Sequence, residues 1–161
     1  MHRFALALAT CSSLLGGQAA ALSCMQPDVA ASFTQAAEAE ELYVVLLGTF
    51  TFGDVPTSDT GDINFPREVE VSSRFDGKFL SGNGFTDAPP LDVTIRFSCA
   101  GPWCGSLQSD GSQVLAFVEQ RNDEYLLSVE PCFGTAFVNP TDAQQAQAVS
   151  CMRGRDCTPN F

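Results

Sequence analysis

The residues best equipped for chemistry in this chain are its cysteines, and their number and setting limit what that chemistry is. The chain has 161 residues, with seven cysteines and a single histidine. Cys11 lies inside an apolar N-terminal run; the others are Cys24, Cys99, Cys104, Cys132, Cys151 and Cys157. An even set in an exported chain reads as a disulfide framework rather than as reactive thiols. Six cysteines allow fifteen connectivities. Cys99 with Cys104, and Cys151 with Cys157, could each close a small loop. Cys24 would then join Cys132 and pin the N-terminus to the rest of the fold. Trp103-Cys104-Gly105 starts like a redox motif, but the second cysteine of a C-x-x-C would fall at Leu107. A structural bridge is therefore expected there.

The histidine, His2, lies ahead of the apolar run and would leave with it. Its loss removes Ser-His and Cys-His nucleophile pairs, histidine bases and histidine zinc sites together. No G-x-S-x-G elbow occurs. Asp92, Glu119 and Glu130 are the carboxylates on or beside strands that a two-carboxylate hydrolysis would need; solvated strand edges explain them more simply. Asp54, Asp59 and Asp62 share one loop, but their spacing is not that of the D-x-D-x-D-G calcium loop. The expectation is no enzyme, no metal site and no cofactor.

The N-terminus has the three parts of a signal peptide. Met1-His2-Arg3 is positive, and Phe4 to Leu15 is apolar but too short to span a bilayer. Ala19-Ala20-Ala21 then offers a cleavage site, between Ala21 and Leu22. Residues 22–161 remain as one domain, which buries roughly two-thirds of its unfolded surface. A lipidated Cys11 or Cys24 is the alternative, although Thr10 and Leu22 fit a lipid site poorly. No second apolar run approaches transmembrane length. Without Arg3 the chain keeps seven basic against 19 acidic side chains, a net charge near −12. That surface suits a soluble protein in the periplasm or outside the cell and repels nucleic acid.

The elements that must carry the cysteines are mostly strands. Pro27 to Glu38 reads as a helix, with Val29, Phe33 and Ala36 or Ala37 on one face. Tyr43 to Leu47 is a continuous apolar run, as in a strand covered on both sides; Gly48 then permits a bend. Residues 67–80 alternate, with Val69, Val71, Ser73 and Phe75 on one side, and Asp76-Gly77 either turns or bulges the strand. Residues 81–90 read as loop. Val93, Ile95 and Phe97 mark another half-buried strand. Two more run over about 113–120 and 124–130, with Asn122-Asp123 at the turn. Asn139 or Thr141 caps a final helix that ends near Cys151. Five antiparallel strands with no intervening helix exclude a parallel α/β fold and indicate a small closed barrel. Phe75, Phe79 and Phe97 are aromatics of the kind such barrels use to stack bases, but core packing is expected of them at this net charge.

Cys24 soon after the cleavage site, a Pro-led helix, a long first strand, Trp103-Cys104-Gly105 between the third and fourth strands, and Cys132 and Cys151 closing a strand and a helix form a pattern. It resembles the netrin-type module, the OB-fold barrel shared by tissue inhibitors of metalloproteinases. The resemblance implies a disulfide-stabilised five-stranded barrel with one helix at each end. In those inhibitors a terminal Cys-x-Cys chelates the target's zinc. Here Leu22-Ser23 precede Cys24 and Gln26 replaces the second cysteine, so that geometry requires cleavage after Ser23. The expected function is thus an exported, monomeric, non-catalytic binding or inhibitory module for another exported protein or ligand. A structural, envelope-associated domain is the second reading, and metalloprotease inhibition the third.

Overall fold

The computed structural model describes residues 24, 26–55, 67–100, 103–132 and 134–159. The leader, with the expected cleavage at Ala21 and Leu22, lies outside the described residues, as do Asp59 and Asp62. In chain order the elements are α1 (Val29–Glu38), β1 (Leu42–Phe52), β2 (Glu68–Ser81), β3 (Gly84–Asp87), β4 (Leu91–Ala100), β5 (Trp103–Cys104), β6 (Val114–Arg121), β7 (Glu124–Val129), β8 (Ala136–Val138) and α2 (Asp142–Met152).

The five long strands close a barrel with an OB-like arrangement. β1 pairs with β2, β2 with β4, β4 with β7, β7 with β6, and β6 with β1. Four of these pairings are antiparallel; β4 and β7 run parallel, with Thr94 opposite Leu126 and Phe97 opposite Val129. Strand direction cannot alternate all the way round a ring of five, so one pair of neighbours must run the same way. The expected antiparallel barrel therefore has one parallel seam.

Three short strands add to the five. Residues 81–90, expected as loop, form β3, because Gly82-Asn83 alone makes the turn and Phe85 returns opposite Leu80. β5 and β8 lie along β4 and β6. Asp76-Gly77 does not turn the chain: β2 runs straight through, and Gly77 faces Gly48 of β1. The two backbones nearly touch there. A Cβ on Gly48 would lie 2.2 Å from the Asp76 carbonyl oxygen and 2.7 Å from the Phe75 ring. Phe75 fills that space, fully buried and 5.0 Å from Phe50 between ring centres.

Alternation along the strands divides two cores. Leu46, Phe50, Phe75, Val93, Ile95, Val114, Val118 and Leu127 fill the barrel. Val45, Leu47, Leu115 and Phe117 point outward from β1 and β6 and are buried with Val29, Phe137 and Ala148. This is why Tyr43 to Leu47 reads as an unbroken apolar run: alternate residues enter different cores. Each such side chain contributes on the order of 1.5–3 kcal/mol of burial. Phe33 and Ala36 of α1 join the outer core on the expected face, while Ala37 is exposed.

Both helices start on side-chain caps. Asp28, not Pro27, begins α1: its carboxylate accepts the Ala31 N–H at 3.0 Å, and Pro27 stands outside the helix. Thr141 and Gln144 form a reciprocal capping box at α2.

Candidate functional site

All six cysteines among the described residues are paired, as Cys24–Cys132, Cys99–Cys104 and Cys151–Cys157. This is the pairing that the short spacings would leave. The last bridge ties the buried Cys151 of α2 to the tail. Three bridges fit an oxidising compartment. Among the described residues, no helix is long and apolar enough to cross a membrane.

The other two bridges meet at one rim of the barrel. Cys99 and Cys104 stand directly opposite each other on β4 and β5. Gly105 then packs so closely on the end of β7 that a Cβ there would lie 2.1 Å from the Val129 carbonyl oxygen. Only glycine lets the bridged hairpin reach that strand. Cys132 follows β7 by three residues. A shallow depression of about 200 Å³ lies between the bridges, bordered by Pro27, Cys104, Gly105, Glu130 and Pro131. On the edge stands Trp103, 45% exposed, on a strand of two residues. It is the chain's single tryptophan. The sequence marked Trp103 only as the start of Trp103-Cys104-Gly105, and gave it no binding role.

The outer face of β2 and β4 is polar. Arg74 pairs with Asp92 at 2.8 Å and Arg96 with Glu70 at 2.7 Å across the two strands. Phe75 and Phe97 point the other way, buried in the barrel, and Phe79 packs against the same core. None of the three is laid out on the surface as a stacking platform.

A second depression, of about 230 Å³, lies between α1 and the wall of β1 and β6. Phe117 and Ala36 line it, with Glu41 and Tyr43 among its polar residues. Opposite Tyr43 on β6 is Glu119, 8% exposed, whose two carboxylate oxygens accept from Nε and Nη2 of Arg121. Burial pushes the Tyr43 hydroxyl above its ordinary range, and the Glu119 and Glu41 carboxylates push it further. This cluster was hidden in the sequence because Tyr43 sits in an apolar run and Glu119 at the end of another.

The three carboxylates weighed for hydrolysis are held in different places. Asp92 is bound to Arg74, Glu119 to Arg121, and Glu130 lies at the bridged rim. Among the described residues, no three His, Cys, Asp or Glu side chains come together in a group able to hold a metal. No protein-family model, curated protein or solved structure matches this chain.

Proposed function

We propose that the protein is an exported, non-catalytic binding or inhibitory module of netrin type that holds a protein partner at its bridged rim. The single observation behind this reading is Trp103. A large aromatic side chain is left 45% exposed at the tip of a hairpin closed by a disulfide. Tryptophan is the side chain most enriched where binding energy concentrates. A bridge that fixes its backbone lowers the ordering cost of association. The polar wall of β2 and β4 offers no comparable anchor: its charges already pair with one another.

The position of Cys24 favours a second reading. It is bridged to Cys132 on the same rim. Cleavage after Ser23 would present a free Cys24 amine there and bring back metalloprotease inhibition. Mass spectrometry of the mature N-terminus separates the cases. A start at Cys24 supports the inhibitor and a start at Leu22 the simple binding module; a lipid on the Cys24 sulfur, which the bridge to Cys132 opposes, would support the envelope-associated role.

The test is site-specific photo-crosslinking. A photoreactive phenylalanine replaces Trp103 in one protein and Thr94, on the polar wall, in another. Both are exposed to the exported fraction of the source cells. The expected result is a saturable adduct from position 103 and none from 94. Equal labelling from both positions, or none from 103, would overturn the rim reading.

A further inference from the structure

We infer that Cys99–Cys104 is a thiol–disulfide exchange site, opened and reclosed by a dithiol while the barrel stays folded. Four observations lead there. Cys104 is exposed, and exposed bridges are the ones open to exchange. The two cysteines are direct cross-strand partners, so their placement does not depend on the bridge alone. The Cys99 N–H donates to the Arg67 carbonyl and the Gly105 N–H to the Ser98 carbonyl, each at 2.9 Å. Those bonds keep the thiols facing each other after reduction, at the high local concentration that favours reclosure. Finally, among the described residues β5 pairs only with β4 and takes no part in the ring of five strands.

The other bridges differ in burial or in what would reclose them; Cys24 is exposed as Cys104 is. Cys151 is buried on α2 and its partner Cys157 is half-buried, so neither sulfur is as open as that of Cys104. Cys24–Cys132 spans 108 residues. Opening it frees the chain ahead of α1, and no strand pairing returns Cys24 to its partner.

The chemistry is ordinary exchange. One thiolate of the dithiol attacks the Cys104 sulfur, giving a mixed disulfide and the Cys99 thiolate. The second thiol of the reductant then attacks the mixed disulfide. Cys99 and Cys104 end as thiols, the reductant as its own disulfide, and two electrons and two protons have passed to the protein. The exchange stands on the bridge alone. Its consequence, that reduction loosens the hairpin carrying Trp103 and so weakens partner capture, rests on the function proposed above.

Trp103 supplies the readout. A disulfide quenches an adjacent indole, and no other tryptophan contributes. Folded protein is titrated with dithiothreitol, trapped with iodoacetamide and mapped by peptide mass, while emission is followed at 295 nm excitation. The expected result is labelling at Cys99 and Cys104 at lower dithiothreitol than at the other four cysteines, with a rise in emission and unchanged circular dichroism. Oxidised dithiothreitol then restores the starting spectrum. Labelling that appears only when the barrel melts would overturn the inference, and so would a bridge that fails to reform. The paired variant Cys99→Ser with Cys104→Ser should fold, with high emission that no dithiol changes; failure to fold counts against the site. If exchange succeeds while crosslinking at 103 fails, the partner reading falls and the exchange survives. The reverse outcome removes the exchange alone.

Discussion

Two walls of the same barrel show how differently one strand pattern can be used. The β1–β6 wall is apolar on both faces: Leu46 and Val118 enter the barrel, and Leu47 and Leu115 lie beneath the helices. Ahead of Leu80, which joins the outer core, the β2–β4 wall is apolar on one face only. Its outer side carries Glu70, Arg74, Asp92 and Arg96 in water, paired across the strands. The difference is set by what covers the outside. α1 lies against the first wall, and α2 packs on α1 and on the Leu80 end of β2, so β1 and β6 need two sets of apolar residues. Where Glu70 to Arg74 face Asp92 to Arg96, no helix covers the second wall among the described residues, so its strands alternate there. The stability of the molecule is therefore concentrated on the helix side, and the bare wall is free of structural duty beyond its inner face.

The largest expected effect comes from the tie that anchors the cover. Cys24 stands just ahead of α1, and Cys132 just beyond β7. Replacing both with serine releases a loop of 108 residues, which in the chain-entropy view costs about 4–5 kcal/mol. Urea unfolding followed by circular dichroism measures it. A loss below about 1 kcal/mol would mean that α1 holds to the wall without the bridge. Next come the two faces of the covered wall. Leu115→Ala, toward the helices, and Leu46→Ala, toward the barrel, should each cost about 3 kcal/mol, because both side chains are fully buried. A much smaller loss at Leu115 would show that the outer core relaxes as a surface does, and the contrast between the walls would shrink.

The covered and bare walls were both readable from residue order, because burial writes its period into the chain. Tyr43 to Leu47 has no polar interruption, whereas Val69, Val71, Ser73 and Phe75 alternate with charged or polar neighbours. The half-buried reading held even for Ser73, which is buried and donates to the Val93 carbonyl at 2.7 Å. Other features leave no local trace. The parallel β4–β7 seam follows from closing an odd ring, a property of the whole fold. β3 was missed because glycine and asparagine marked a longer loop than the turn required. Gly77 was taken for a turn or bulge because its true partner, Gly48, lies 29 residues away in sequence. At the rim, short spacing had suggested Cys99 with Cys104, and the facing strands supply the reason for that pair. The cluster of Tyr43, Glu119 and Arg121 depends on strand register, which residue types alone do not fix.

The smallest effect is the most discriminating, because it puts one ion pair from each wall under the same test. Arg74 and Asp92 on the bare wall have side chains 53% and 89% exposed. Water replaces either partner at little cost, so Arg74→Ala should change stability by less than about 0.5 kcal/mol. Glu119 is different. Its side chain is only 10% exposed, and Arg121 satisfies both of its oxygens. Removing Arg121 leaves a carboxylate with little access to water beside Tyr43, so Arg121→Ala should lower the urea midpoint clearly more than Arg74→Ala. Adding Glu119→Gln to that variant removes the stranded charge and should recover part of the loss. A double-mutant cycle reads the coupling directly. If the two arginine variants prove equal, water reaches Glu119 freely once its partner is gone. The covered wall would then end before Tyr43, at the last residues that α1 shields.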